Sequence, residues 1–417
     1  MHTATFPLWS SLPFVVILLA IALIPLGFEQ FWSSNRNKGI VAAVVSLPAL
    51  VILVIIDPTV LLHTLTEYFS FICLLGSLFV ISGGIAVTGD LKAHPSTNLL
   101  FLLIGAVIAN IIGTTGASML LIRPLLSTNS ERRHVWHIPF FFILIVSNCG
   151  GLLTPIGDPP LFLGYLRGVP FFWTLKLAPV WLVSMGYLLG LFYVIERRAY
   201  HRETKTDIAY DERHISPLTI RGRTGFLFLA GVILSVFAPT PIREGLMILM
   251  AVLSLVFGSK TAREDNRFTW HPIEEVAILF AGIFITMAPA LALLHQVGPS
   301  LGIDKPWEFF WVTGALSSFL DNAPTYLTFF TLGQTIDTGL KVAGVDPLIL
   351  MAISAGAVLM GANSYIGNGP NFMVKSIADH YGFKMPSFFG YLVRALAVLM
   401  PLYILITVLF FSTGLTK

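Results

Sequence analysis

Apolar residues along this chain run in long blocks rather than alternating with polar ones. Blocks near 8–28, 38–56 and 67–88 each approach the roughly 20 residues a helix needs to cross a bilayer, and an interrupted stretch follows over 98–127. Its middle reads Asn110-Ile-Ile-Gly113-Thr114-Thr115-Gly116. The apolar arms on either side hold roughly 12 residues each, too short to span, so they predict a re-entrant hairpin with its tip at membrane depth. A stretch over 138–166 is broken by Thr154-Pro155-Ile156-Gly157-Asp158-Pro159-Pro160, and a span over 171–195 follows. Beyond the polar segment from Glu196 to Arg223 the order returns: spans near 224–240, 242–258 and 273–295, an interrupted stretch over 307–334, a broken one over 347–380 and a last span over 387–412.

This return is an internal repeat. Gly76 matches Gly282, Thr115 matches Asn322, Ile156-Gly157 matches Ile366-Gly367, and Pro170 with Phe172 matches Pro386 with Phe388. The most specific pair is Ile156-Gly-Asp158-Pro-Pro160-Leu-Phe162 against Ile366-Gly-Asn368-Gly-Pro370-Asn-Phe372. Residues 1–205 form the first copy, with hairpin 98–127 and broken helix 138–166. Residues 224–417 form the second, with hairpin 307–334 and broken helix 347–380, and 196–223 is the linker. If each hairpin returns to its own side and each broken helix crosses, one copy has five crossings, so the second must be upside down. The predicted fold is an all-α polytopic membrane protein of two inverted repeats.

Charge placement gives the orientation. Lys and Arg concentrate in short cytoplasmic loops. With the linker inside, eighteen of the 25 Lys and Arg fall on the cytoplasmic side, five (Arg167, Arg243, Lys305, Lys341 and Lys417) fall outside, and Lys176 and Arg394 lie within spans. Both termini are then outside a cytoplasmic-type membrane. Composition agrees with life in lipid: 55% of the 417 residues are hydrophobic, 11% are charged, and mean hydropathy is +0.82. A nucleic-acid-binding or disulfide-scaffold protein is excluded; Cys73 and Cys149 both lie in apolar segments. No Lys or Arg occurs in residues 1–35, so the first block reads as a true span rather than a cleaved signal.

Opposed repeats with discontinuous helices are the signature of a secondary transporter with its site near the midplane. Unwinding a helix in lipid frees backbone groups that cost several kcal/mol each if unpaired. Carbonyls around Thr154-Pro155 and Ala362-Asn363 are therefore candidate ligands for a small cation, and new half-helices begin at Asp158-Pro159 and Asn368-Gly369-Pro370. The chain contains no nucleotide-binding G-x-x-x-x-G-K-[ST], no H-E-x-x-H and no recognisable nucleophile–base motif, so neither a pump nor an enzyme is expected, and no cofactor.

The runs Asn148-Cys-Gly-Gly-Leu-Leu-Thr-Pro-Ile-Gly-Asp-Pro-Pro160 and Leu320-Asp-Asn-Ala-Pro-Thr325 resemble motifs of the ion transporter superfamily, nearest to NhaD-type sodium/proton antiporters. The resemblance covers essentially the whole chain. It implies a scaffold part, a transport part that moves as an elevator, and a homodimer. Arsenite, citrate and dicarboxylate carriers share this plan, so a cation-coupled citrate or dicarboxylate carrier is the alternative. Sodium-coupled dicarboxylate relatives carry Ser-Asn-Thr at their hairpin tips, whereas the tips here read Gly113-Thr114-Thr115 and Asp321-Asn322-Ala323.

Asp158 and Asp321 are the candidate proton-coupling acids. Each also precedes proline as a helix N-cap does. Thr114, Thr115, Thr154, Asn322, Asn363, Ser364 and Asn368 complete the candidate Na+ site with these acids, because they offer the hard oxygens such an ion accepts. Ser118, Thr325 and Asn371 supply further neutral oxygens; a cap or an interhelical hydrogen bond is the more ordinary role for any one of these residues, and it is their clustering on both breaks that points to a site. Lys176 and Arg394 are possible charge partners for the acids, or side chains that snorkel to an interface. The expected partners are lipid, Na+ and H+.

Overall fold

A computed structural model describes residues 6–204, 215–336 and 339–412. Lys205 and Arg213 of the linker, and Lys417, lie outside the described residues. The architecture is all-α and polytopic. The principal helices are α1 (Leu12–Gly27), α2 (Asn35–Ile56), α3 (Pro58–Gly83), α4 (Pro95–Thr128), α5 (His137–Ile145), α6 (Pro159–Leu166) and α7 (Ala178–Tyr200), then α8 (Thr224–Ser235), α9 (Ile242–Phe257), α10 (His271–Val297), α11 (Pro306–Ser317), α12 (Asn322–Gln334), α13 (Pro347–Met360), α14 (Gly369–His380) and α15 (Phe388–Ile406), with the short helices Glu29–Trp32 and Lys260–Asp265 and several turns between them. Seven segments are long and apolar enough to cross a bilayer among the described residues; shorter apolar helices occur at the breaks over 138–166 and 347–380 and also at Thr224–Ser235, where a full span was expected.

The third span differs from the sequence expectation at both ends, and the helix expected over 224–240 stops at Ser235. The third span begins at Pro58 rather than near 67, because Asp57 caps it: its Oδ1 accepts the Thr59 and Val60 N–H groups at 3.0 and 3.3 Å. His63 and Glu67 thereby become helical. The same span ends at Gly83, and Ala86–Thr88 forms β1, an antiparallel two-stranded ribbon with β2, Thr219–Arg221.

α4 is a hairpin rather than a rod. Gly113 interrupts it at φ +79°, ψ 155°, a conformation open to glycine. Asn98 and Asn129, which a straight helix would hold about 46 Å apart, exchange amide hydrogen bonds of 2.8 Å in both directions. The two arms therefore return to one side. α11 and α12 fold back on each other likewise: Phe309 and Phe329 meet edge to face with centroids 6.5 Å apart.

The broken helices have matching backbones. α5 ends before a 3-10 turn over Cys149–Leu153, Thr154 is extended (φ −137°, ψ 154°), and Asp158 (φ −144°, ψ 144°) opens α6. α13 ends before a 3-10 turn over Gly361–Asn363, Ser364 is extended (φ −139°, ψ 169°), and Asn368 (φ −155°, ψ 142°) opens α14. Each break crosses itself closely. A Cβ on Gly157 would stand 2.2 Å from Gly151 O, and one on Gly367 2.5 Å from Gly361 O, so neither position has room for a side chain.

Candidate functional site

Local backbone chemistry builds each break before any ligand is considered. Gly157 N donates to the Thr154 hydroxyl at 3.1 Å, and Gly367 N donates to the Ser364 hydroxyl at 3.2 Å, so both residues act as turn staples. Thr154 Oγ1 also donates to Asn110 O at 2.5 Å. Asn110 spans the first break, donating to Gly150 O at 2.7 Å and accepting from Leu153 N at 2.8 Å. Asn371 spans the second, donating to Gly361 O and Ser364 O at 3.0 and 2.8 Å. Trp181 Nε1 donates to Gly150 O and Tyr391 OH to Ala362 O, both at 2.9 Å. Carbonyls freed by unwinding are thus paired inside protein, as a lipid environment demands.

The hairpin tips dock on these breaks. Thr114 N donates to Gly157 O at 2.9 Å, and Asn322 N donates to Gly367 O at 3.2 Å. This makes Thr114, one residue before the Thr115 of the sequence match, the positional equivalent of Asn322.

Asp158 lies where the two docked halves meet and is 1% exposed. Although it stands at the N-cap of α6, its side chain makes no capping hydrogen bond. Its Oδ1 accepts from Thr114 Oγ1 and from Asn368 Nδ2, each at 2.9 Å, and its Oδ2 accepts from Asn322 Nδ2 at 2.6 Å. One carboxylate therefore joins the first hairpin tip, the second hairpin tip and both broken helices. Asn322 Oδ1, on the amide that donates to Asp158, is buried and accepts no hydrogen bond; neither does Asn148 Oδ1. Asn148 Nδ2 donates to Asn371 Oδ1 at 2.7 Å, and Asn368 Nδ2 also reaches Ser147 O at 3.1 Å, so the centre is knitted from both halves of the chain.

The remaining candidates separate into groups. Asn363 is buried with Asn368 and Ser364 but bonds elsewhere, donating to Ser318 Oγ at 2.8 Å and accepting from Tyr403 OH at 2.9 Å. Thr115 is half-buried. Ser118 pairs with Ser147 at 2.8 Å, and Thr325 bonds back to Asp321 O at 2.9 Å. Asp321 is half-buried, and its carboxylate caps α12, accepting Ala323 N–H at 3.0 Å. Lys176 and Arg394 are both exposed, and the Arg394 guanidinium sits 5.0 Å from the centre of the Trp136 ring. Neither is a partner of a site acid: both side chains lie on the outer surface of the protein, from where a long basic chain can extend toward an interface.

The sequence did not signal a second polar centre at the foot of the first hairpin. Glu196, fully buried, accepts from Asn98 Nδ2 at 2.7 Å and from Arg132 at 2.5 and 3.2 Å, and its Oε2 lies 2.5 Å from His137 Nε2. Arg132 also donates to Asn129 Oδ1 at 3.0 Å. The mouth of the hairpin is thereby fastened to α7.

Chemically, the Asp158 centre combines a carboxylate with a hydroxyl and two amides, and among the described residues no basic side chain bonds to it. Rotating the Asn322 and Asn368 amides would turn donors into oxygen ligands without moving the backbone. Among the described residues no group of three His, Cys, Asp or Glu gathers as a transition metal would require.

Two comparisons bear on identity. An uncharacterized transporter of Synechocystis sp. is 23% identical over 332 residues, covering 70% of this chain and 72% of that protein. The model of a family described as "Putative citrate transport" matches residues 3–411, nearly the whole length. The chain is thus a multi-pass membrane transporter and belongs to that citrate-transport family.

Proposed function

We propose that this transporter exchanges Na+ for H+ at Asp158 by alternating access. The observation that carries the reading is the buried Asp158 carboxylate, held by neutral donors from both hairpin tips and from the other break. A carboxylate removed from water is costly unless a proton or a cation accompanies it. With Na+ bound, Asp158, the Thr114 hydroxyl and the rotated Asn322 and Asn368 amides supply the oxygens; with a proton bound, the acid O–H donates to an amide oxygen such as Asn322 Oδ1, turned toward it, while Thr114 and Asn368 keep donating as they do here. A carrier that crosses in either loaded form, but not empty, couples the two gradients.

The same reading takes the two halves as inverted repeats, as their matched dihedrals and tip-to-break hydrogen bonds support. It places the protein in a cytoplasmic membrane with the linker inside, moving its hairpins and broken helices as an elevator within a homodimer. The coupling role goes to Asp158 alone, because the Asp321 carboxylate is engaged as a helix cap.

The family description supports a second reading, cation-coupled citrate transport. Against it stands the central constellation, which offers a polyanion no Lys, Arg or His. The test is a flux assay in proteoliposomes. Na+ added on one side is expected to dissipate a preformed pH gradient in wild type, and Asp158→Asn to reduce the response to that of empty vesicles. Labelled citrate uptake without Na+-driven proton movement would establish the second reading instead.

A further inference from the structure

Asp158 and Arg167 cap opposite ends of one short helix. α6 has eight residues, about 12 Å of rigid rod, so Asp158 at its N-cap and Arg167 at its C-cap move together. At the Asp158 end the helix is tied to Thr114, Asn322 and Asn368. At the Arg167 end it is tied to different elements. Arg167 Nε stands 2.6 Å from Glu67 Oε1, and its terminal nitrogen donates to Glu67 Oε2 at 2.8 Å. Tyr165 OH donates to Val236 O, just beyond α8, at 2.8 Å. Glu67 belongs to α3, and α3 is joined to α9 by the bond from Ser70 Oγ to Glu244 Oε1 at 2.7 Å.

Packing along this boundary is uneven. Phe171 and Phe237 meet with ring centroids 4.7 Å apart, and beside them a surface recess of about 520 Å³ lies between Tyr165, Gly168 and Pro170 on one side and Pro239 and Arg243 on the other. Where side chains interdigitate, sliding one part past another would disrupt a close-packed interface; here, among the described residues, the aromatic contact is confined to Phe171, Phe172 and Phe237, and the Glu67–Arg167 ion pair is the charged restraint beside the recess. Glu67 is 7% exposed; its Oε2 accepts the one hydrogen bond of the pair, from Arg167, while Oε1 and Nε approach to 2.6 Å outside hydrogen-bonding geometry, so the contact is a close ion pair whose carboxylate is shielded from water and whose guanidinium is partly exposed.

We propose that the Glu67–Arg167 ion pair is a latch that holds the Asp158 helix in one of its two transport positions and must open in every cycle. This inference rests on the proposed alternating access at Asp158. Arg167 is here a positioning residue: it acts on the cargo through α6 without touching the site.

The experiment uses the full chain in proteoliposomes, with Glu67→Cys and Arg167→Cys combined. A short, reducible bis-methanethiosulfonate reagent links the pair, since residues that meet through such long side chains are too distant at their backbones for a direct disulfide. The native thiols Cys73 and Cys149 are buried, and reagent-treated wild type is the control. Linking is expected to cut Na+/H+ exchange about tenfold or more, as for any step gated by a conformational change, and reductant to restore it. Na+-dependent thermal stabilisation of the detergent-solubilised protein should persist in the linked form. Undiminished exchange by the linked protein would overturn the latch.

The reversal of Glu67→Arg with Arg167→Glu is the second arm. It is expected to regain the exchange lost in either single variant; a reversal as slow as the singles also overturns the proposal. Failure of the underlying reading is distinguishable, because it appears as exchange that survives Asp158→Asn in a protein with the native pair.

Discussion

Asn368 Nδ2 donates to Asp158 Oδ1 at 2.9 Å, and the two residues occupy the same place in the two broken helices. The centre is thus nearly symmetric in backbone and asymmetric in charge: one break contributes a carboxylate, the other its uncharged isostere.

That asymmetry gives the first prediction. Asn368→Asp would place a second carboxylate against the first, and two such groups in contact cannot both stay charged without a cation between them. The variant is expected to lose thermal stability in Na+-free alkaline buffer and to recover it when Na+ is added or the pH is lowered. Melting curves of the detergent-solubilised protein check this, and a curve indifferent to Na+ and pH contradicts the cation role of the site.

Asp321 tests the opposite expectation. Its carboxylate caps α12, and an amide at that position retains the accepting oxygen. Asp321→Asn should therefore keep most Na+/H+ exchange, whereas Asp321→Ala should cost about 1 kcal/mol of stability through loss of the cap. Exchange assayed beside Asp158→Asn separates the two acids; a dead Asp321→Asn carrier would restore the paired-acid mechanism expected from sequence.

Gly367→Ala addresses the crossing of the second break. The added methyl would meet Gly361 O at 2.5 Å and Ser317 O at 2.7 Å, both backbone atoms that cannot rotate away. A loss of about 1–3 kcal/mol is expected for overpacking of this kind. Monodispersity and thermal midpoint would register it, and a wild-type midpoint would contradict the close approach.

Glu196→Ala removes the acceptor shared by Arg132, His137 and Asn98. Deleting one partner of a buried ion pair strands the other, at a cost of about 3–5 kcal/mol. Glu196→Gln, which keeps the size and one acceptor oxygen, should fall between Ala and wild type. The ranking can be read from thermal unfolding, and equal midpoints for Ala and wild type would deny the pair any structural weight.

Much of this organisation was legible from residues 98–127, 138–166 and 347–380, because Gly and Pro inside apolar runs are costly in lipid and occur where a helix must stop. The equivalence of Asp158 and Asn368 was legible for the same reason: each follows Ile-Gly and opens a proline-containing helix start. The donors of Asp158 were visible as residue types but not as partners, since Thr114, Asn322 and Asn368 converge only through tertiary docking. Charges near span ends were the harder case. Lys38, at the first position of the 38–56 block, is buried beside Glu275 at 2.7 Å, and Arg132 and Glu196 pair across the fold, so a charge at a span end can be internal when its counter-charge is remote in sequence. Lys176 and Arg394 lie within candidate spans, as expected, and their side chains are on the protein surface rather than beside Asp158 or Asp321.

The small ribbon between Ala86–Thr88 and Thr219–Arg221 joins an early turn of the first half directly to the start of the second. Together with the bonds of Asp158 to Asn322 and Asn368, it means that cohesion between the halves does not depend on peptide continuity through residues 205–214. A protease nick there should leave a working carrier, and the two pieces, translated from separate messages, should find each other and assemble.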